Sequence, residues 1–281
     1  MTVGSRVANR RELLDLSSRL RSYAALQGVL HEGGPVSAAA VAPSSAPPPT
    51  PRRPQPAARV VAARAVAAQA SPEPSPAPSG PSPAQCSTLA ELHDAFASCD
   101  ACELAGTRTR FVFGTGNPNA GVLFVGEAPG RDEDLQGEPF VGRAGQLLDR
   151  ILAAVGFDRK SIYIANILKC RPPGNRDPLP QEISACRSIL NRQVELIRPV
   201  VICTLGSFAA RTLLSTSDGI SRLRGRIHEY RGVPVIPTYH PAALLRNERW
   251  KRPVWEDVQV LRREYDQRSA QADPDPSRGM P

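Results

Sequence analysis

The sequence predicts an α/β fold: a three-layer α/β/α sandwich around a central, mostly parallel sheet of four strands. Three observations lead to this prediction. Four short apolar runs rich in β-branched residues are typical of strands buried on both faces. Helical patterns separate these runs, and strand–helix alternation favours a parallel sheet. Polar residues and glycines directly follow the runs, where ligands bind in such sheets.

The predicted elements alternate along the second half of the chain. The strands are the four apolar runs, at 122–126, 162–168, 200–206 and 233–239. The helices are placed at about 144–155, 180–197 and 207–215. Because the carboxyl ends of parallel strands share one edge of the sheet, we expect the residues after each run to form one site.

Composition divides the chain into four segments. Within 1–30, leucines recur at helical spacing and predict an amphipathic helix at 9–30, which packs on its own domain or on a protein partner. Fourteen of the 29 prolines fall in 31–85, which we expect to be a disordered linker. Residues 86–265 hold the predicted elements, and 266–281 are a polar tail expected to be disordered.

The formal net charge of +8 indicates an anionic partner, with nucleic acid favoured over an anionic membrane. The first 85 residues carry nine arginines against four acidic residues, so much of this charge lies outside the predicted domain. An apolar run near eighteen residues is lacking, as is a secretory signal, so we expect a cytosolic protein at the bacterial nucleoid.

The six cysteines of a cytosolic chain favour metal or cluster binding over disulfides. Cys99 and Cys102 form a Cys-x2-Cys pair that can share a metal, and Cys170 and Cys186 supply a second pair. The spacing is compatible with zinc or with an iron–sulfur cluster. Two other cysteines show no ligand pattern: Cys203 lies inside a strand, and Cys86 lies at the linker edge.

Three motifs follow the predicted strands. The first motif runs from Gly126-Glu-Ala-Pro-Gly130 through Glu133 to Gly137-Glu-Pro-Phe-Val-Gly142. The second motif is Asn166-Ile-Leu-Lys-Cys-Arg-Pro-Pro-Gly-Asn-Arg176. The third motif is His240-Pro-Ala-Ala-Leu-Leu-Arg-Asn247. With the four cysteines, and in this order, they resemble the family-four uracil-DNA glycosylases over roughly 95–265. The N-terminal helix and linker lie outside the resemblance.

The resemblance implies a monofunctional DNA glycosylase for base excision repair of deaminated cytosine. Such an enzyme flips uracil out of single- or double-stranded DNA and hydrolyses its N-glycosidic bond, leaving an abasic site. The resemblance also implies that Cys99, Cys102, Cys170 and Cys186 bind a [4Fe–4S] cluster. We expect the enzyme to act as a monomer.

The resemblance assigns tasks to the residues after the strands. Asn166 is expected to pair with the uracil edge and His240 to donate to uracil O2, where negative charge grows. Phe140 is expected to stack on the base, although core packing is the commoner role of a phenylalanine. Glu133 is expected near uracil C5, where it would exclude the methyl group of thymine.

Glu127 is expected to orient the attacking water. Other members of the superfamily place an aspartate at the position of Ala128, so the sequence assigns no general base. On the DNA side, Leu244 and Leu245 are candidate wedges for the space left by the flipped base, and Arg246 is a candidate phosphate contact.

The basic residues of the second motif, Lys169, Arg171 and Arg176, are also expected to face the DNA backbone. Three alternatives are considered, and the sequence departs from the pattern of the first two. A sister glycosylase of wider range would lack a polar reader at Asn166. A relative that traps DNA covalently would carry Gln at the position of Ala128. A non-catalytic DNA-binding module stabilised by zinc or a cluster would need only the cysteines, as metal ligands.

Overall fold

The computed structural model describes residues 82–272, all of which belong to one compact unit. Six strands form a single sheet: β1 Thr115–Gly116, β2 Val122–Gly126, β3 Tyr163–Asn166, β4 Val201–Leu205, β5 His228–Tyr230 and β6 Val233–Thr238. Eight α-helices accompany them in the described residues: α1 Leu89–Phe96, α2 Arg131–Gln136, α3 Arg143–Ala154, α4 Pro180–Ile197, α5 Ser207–Leu214, α6 Ile220–Leu223, α7 Pro241–Arg246 and α8 Lys251–Ala272.

The strand order is β1-β3-β2-β4-β6-β5. The four central strands are parallel, and the two edge strands β1 and β5 pair antiparallel to their neighbours. The α/β fold and the four parallel strands are therefore confirmed. The predicted count of four strands is wrong, because the short edge strands carry no continuous apolar run by which the sequence would reveal them.

Helices cover both faces of the sheet. Side chains alternate across β2: Leu123 and Val125 pack with residues of α4 and α5, whereas Val122 and Phe124 pack with residues of α3 and α8. All five residues of β2 are buried, as expected for a central parallel strand. The apolar cores on the two faces thus pack against the central strands, from whose ends the polar residues project.

The described fold extends beyond the predicted domain limits. A 3₁₀ turn at Pro83–Gln85 lies inside the predicted linker, and the following Cys86 is buried against Leu92 and Phe113. At the other end, α8 continues to residue 272, past the predicted limit at 265. The predicted helix at 9–30 and most of the predicted linker and tail lie outside the described residues.

Within the described part of the chain, no helix combines the length and the apolar character needed to cross a membrane.

Candidate active site

A cleft of about 530 Å³ opens at the carboxyl edge of the sheet, where β2, β3 and β6 end. Ligands bind at this edge in open parallel sheets. Its lining comes from all three motifs: Glu127, Ala128, Pro129, Gly130, Glu133, Phe140, Ala144, Asn166, Pro172, Asn175, Arg176, Asp177, His240, Ala242 and Arg246. The fold thus brings together most of the site residues expected from the sequence.

Asn166 is the last residue of β3 and is only 2% exposed. Its side-chain oxygen Oδ1 is fully buried and has no hydrogen-bond partner in the protein. An unpaired buried acceptor costs about 1–3 kcal/mol relative to one that is hydrogen-bonded. A group left in this state on the wall of a cleft is positioned to accept from a ligand.

Glycine is required beside Asn166. A Cβ atom on Gly126, at the end of β2, would lie 2.3 Å from Asn166 Oδ1 and 2.7 Å from the ring of Phe140. These distances are shorter than real Cβ contacts allow. The Gly at the start of the first motif therefore lets the amide and the phenyl ring meet at the cleft floor.

His240 caps the N-terminus of α7, and its ring nitrogen Nδ1 accepts a hydrogen bond of 3.1 Å from Ala242 N. Burial lowers the pKa of His240 to about 4, and Arg246 contributes in the same direction. A neutral ring that accepts at Nδ1 carries its proton on Nε2. The capping bond thus fixes the tautomer, which leaves Nε2–H as the remaining donor of a side chain that lines the cleft.

Phe140 stacks on the His240 ring, with 5.4 Å between ring centroids and 30° between the planes. Its backbone is left-handed, with φ of 56°. Arg159 holds this loop by donating to the carbonyl oxygens of Pro139 and Phe140. Phe140 is buried in the core and also lines the cleft, so its packing role and its predicted ligand role are compatible.

Glu133 lies on α2 and lines the cleft. Its Oε1 accepts hydrogen bonds of 3.0 Å from both Val141 N and Gly142 N, just after Phe140. The carboxylate therefore joins the two parts of the first motif. Ala128 lies on the same wall, where its methyl group packs against the core and presents no titratable group.

Glu127 follows β2 directly and is partly buried in the cleft. Burial raises its pKa, Asp177 raises it further, and Arg211 opposes the shift. Asp177 was not among the residues expected from the sequence. It lies in an irregular loop directly after the second motif, and no local pattern distinguishes a cleft residue in such a loop.

The residues predicted to contact DNA differ in their solvent exposure and in their hydrogen bonds. Leu244 is 3% exposed and packs with Leu147 and Tyr239, a position that does not favour its predicted role as a wedge. Leu245, the next residue, is 43% exposed. Arg246 and Arg176 both line the cleft, and the guanidinium of Arg176 also donates to both carboxylate oxygens of Glu182, at 2.6 and 3.0 Å.

Lys169 does not face solvent. Its side chain is 0% exposed, which overturns the expectation that it contacts the DNA backbone.

Four cysteines converge from separate parts of the chain. Cys99 follows α1, Cys102 precedes a 3₁₀ turn, Cys170 follows β3 and Cys186 lies on α4. Cys170 interacts electrostatically with Cys99 and Cys102, and Cys186 interacts with Cys102 and Cys170. Among the described residues, no three His, Cys, Asp or Glu side chains are close enough to bind one metal ion.

Basic groups adjoin the cysteines. Arg108 donates a 3.4 Å hydrogen bond to Cys170 Sγ and also donates to the backbone oxygen of Cys99. Burial raises the pKa of Cys170 and raises that of Cys186 to about 12. Arg108 opposes the first shift and Lys169 the second. The four thiols, with Arg108 and Lys169 beside them, form a set that fits an anionic thiolate-bound group.

Cys203 and Cys86 are buried elsewhere. Cys203 lies within β4 in the core between the sheet and α3 and α8, and Cys86 packs under α1.

The sequence matches the family model of the uracil DNA glycosylase superfamily over residues 113–259. It is similar to type-4 uracil-DNA glycosylases from Archaeoglobus fulgidus (53% identity; 56% of this chain and 83% of the relative), from Thermotoga maritima (46%; 57% and 86%) and from Sulfurisphaera tokodaii (40%; 62% and 84%).

The chain therefore belongs to the uracil DNA glycosylase superfamily, as its α/β/α fold and its cleft at the carboxyl edge of the sheet indicate. Within the superfamily it groups with the type-4 uracil-DNA glycosylases, and its activity is hydrolysis of the N-glycosyl bond that joins uracil to DNA. The alternative of a non-catalytic DNA-binding module is wrong.

Proposed function

We propose that the cleft binds a uracil flipped out of DNA, with Asn166 reading the base and His240 stabilising its departure. The observation that carries this proposal is the buried, unpartnered Oδ1 of Asn166 on the cleft wall. Uracil N3–H is a donor suited to that acceptor, and the amide N–H group can donate to O4. Cytosine presents an acceptor at N3 and a donor at N4, so both contacts would be lost.

His240 supplies the electrostatic part of catalysis. As the N-glycosidic bond breaks, positive charge grows on the deoxyribose and negative charge grows on the base. The Nε2–H of a neutral His240 donates to O2, where it stabilises this negative charge. The bond from Ala242 N to Nδ1 holds the imidazole in the required tautomer before substrate binds. Preorganisation of this kind needs no rearrangement during the reaction.

Phe140 provides one face of the base-binding site by stacking. Glu133 acts on the same loop, since its hydrogen bonds to Val141 N and Gly142 N fix the backbone beside Phe140. We place uracil C5 on the Glu133 side of the cleft, where a rigid loop leaves no room for the methyl group of thymine.

Glu127 orients the attacking water. Its partly buried carboxyl group lies on the cleft wall beside Ala128, which carries no titratable group. An oxocarbenium-like sugar reacts readily with water, so positioning the nucleophile is the larger part of this task. Asp177 interacts electrostatically with Glu127 and belongs to the same wall.

Leu245 is the wedge that fills the space left by the flipped base, because it is exposed at the end of α7 whereas Leu244 is buried. Arg246, one residue further, contacts the DNA backbone. We propose that the enzyme acts as a monomer on single- and double-stranded DNA and that residues 9–30 bind a protein partner.

We propose that Cys99, Cys102, Cys170 and Cys186 bind a [4Fe–4S] cluster. The choice of a cluster over zinc rests on the resemblance, in which these four positions are the cluster ligands. Arg108 and Lys169 lie beside the thiols and would offset the charge of an anionic group. The cluster would join α1, the end of β3 and α4, which is a structural function.

The test is Asn166→Asp, assayed by single-turnover excision of uracil and of cytosine from matched single strands, with alkali to reveal abasic sites. An ionised carboxylate accepts twice and cannot donate to O4, so uracil excision should fall and discrimination against cytosine should shrink. Asn119→Asp, at an exposed position outside the cleft lining, is the matched control. Full uracil activity with full rejection of cytosine in Asn166→Asp would show that Asn166 does not read the base.

A further inference from the structure

The amino group of Lys169 is buried three residues beyond Asn166, and the catalytic scheme above does not use it. Its Nζ donates a hydrogen bond of 2.8 Å to the backbone oxygen of Asn166 and one of 2.6 Å to Gln193 Oε1. A buried amino group is costly unless it is hydrogen-bonded. The two acceptors are therefore required by Lys169, and Lys169 in turn fixes their positions.

Gln193 is a rigid anchor for this contact. It lies on α4, it is 0% exposed, and its Nε2 donates a hydrogen bond of 3.0 Å to Phe113 O. Lys169 thus links the end of β3 to α4 through hydrogen bonds, and α4 is itself packed in the core.

The hydrogen bond from Lys169 acts on the peptide group that orients the side chain of Asn166. The carbonyl bound by Lys169 belongs to the peptide between Asn166 and Ile167, and the next donor, Ile167 N, bonds Gly126 O at 2.9 Å. Both sides of this peptide are thereby held. The side chain of Asn166 makes no bond through Oδ1, so its direction depends on its backbone and on the packing around it.

We propose that Lys169 is a positioning residue for base recognition, which holds the Asn166 peptide so that the amide faces the uracil edge. The inference rests on the proposed role of Asn166. A competing explanation is that Lys169 acts only on the cysteine site, because it directly precedes Cys170 and lowers the pKa of Cys186 against the effect of burial. The experiment separates the two.

The test variant is Lys169→Met, which keeps an unbranched side chain one atom shorter and removes the donor. We expect kcat/KM for uracil excision to fall by about 10- to 100-fold, since a displacement near 1 Å remote from the chemistry can cost ~100-fold. Binding of free uracil should weaken in parallel, because Asn166 contacts the base before the reaction as well as during it. Lys160→Met, at an exposed position, is the matched control and should behave as wild type.

A double-mutant cycle with Asn166→Ala shows whether Lys169 acts through Asn166. If it does, Lys169→Met should have little further effect on uracil binding once the amide is gone. Additive losses would overturn the inference and leave the proposed function intact. If Asn166→Ala alone binds and excises uracil normally, the proposed function itself fails.

Iron content and visible absorbance of each purified variant resolve the competing explanation. Weaker uracil binding in Lys169→Met protein that retains its iron supports the inference. Weakening that only follows the loss of iron, and that Cys99→Ser reproduces, would overturn it. If Lys169→Met does not fold, Gln193→Met replaces it in the same cycle, because it removes the acceptor that anchors Lys169 while leaving Asn166 O bonded.

Discussion

The polar side chains of the cleft differ in how many of their hydrogen bonds the protein already makes. Glu133 accepts two backbone N–H groups through Oε1, and His240 accepts one through Nδ1. Asn166 Oδ1 accepts none. Groups whose bonds are made within the fold shape the site, and groups left with unmade bonds bind the base. On this criterion Glu133 is a loop support, whereas Asn166 is a ligand contact.

His240→Ala should slow the chemical step and leave DNA affinity nearly unchanged. The donor acts on charge that appears as the base departs, and loss of one such donor typically costs ~10²–10³ in rate. Single-turnover excision at saturating enzyme, with DNA binding measured separately, makes this distinction. His93→Ala, at an exposed position on α1, is the matched control. An equal loss of DNA affinity would assign His240 to binding.

The pKa of about 4 for His240 predicts a particular pH dependence. The unfolded chain takes up a proton near pH 6.5, whereas the folded protein resists protonation until about pH 4. The stability associated with neutral His240 is therefore fully present above pH 6.5 and is lost as the pH falls towards 4. Excision should stay constant through neutral pH and fail only near pH 4.

Urea unfolding of wild type and His240→Asn between pH 7 and pH 4 measures the stability change. The wild type should lose more stability over this range than the variant. Equal slopes would mean that His240 titrates normally in the folded protein.

The sequence predicted most of the cleft residues because they lie at or just after the ends of strands, as Glu127, Asn166 and His240 do. It did not predict Asp177, which reaches the cleft from a loop without periodicity. It also misplaced Lys169 and Leu244, which are buried. Motif position reveals that a residue is near the site, but which way its side chain points depends on packing against other elements.

At the scale of elements, continuous apolar runs predicted the four central strands to within a few residues, because burial on both faces leaves a strong local signal. The edge strands β1 and β5 have two and three residues and are half-exposed, so no such signal exists. Their antiparallel pairing depends on the neighbouring strand and not on their own composition.

Gly126→Ala tests the close approach of β2 to the base-reading residues. The added methyl would lie 2.3 Å from Asn166 Oδ1 and 2.7 Å from Phe140, so the amide and the ring must move. We expect uracil excision to fall by about 100-fold, with the melting temperature lowered but the fold retained. Gly219→Ala, where an added Cβ meets nothing within 4 Å, should be close to wild type. Normal excision by Gly126→Ala would show that the cleft floor is adaptable.

Across the whole molecule, the cysteines join segments that are distant in sequence. Substituting any of the four proposed ligands should therefore remove the cluster and lower the melting temperature together, because ligation and folding are coupled. Cys99→Ser should give colourless protein of reduced stability, whereas Cys86→Ser should keep the brown colour. Iron analysis and thermal unfolding measure the two effects. A bleached Cys86→Ser beside a brown Cys99→Ser would require a different ligand set.

The positions of the cleft and core residues predict which N-terminal residues can be deleted without loss of uracil excision. All residues that line the cleft lie between 127 and 246, and the described core begins at Cys86. Deletion of residues 1–81 should therefore leave turnover on short uracil-containing oligonucleotides near normal. Deletion of residues 1–92 provides the contrast, because it removes Cys86 and the fully buried Leu92 from the core beneath α1. That variant should be unstable and inactive.

A large loss of turnover at saturating oligonucleotide in the shorter deletion would mean that residues before 82 contribute to catalysis. Normal turnover, combined with a raised mutation rate in cells that carry the deletion, would support a partner-binding role for residues 9–30.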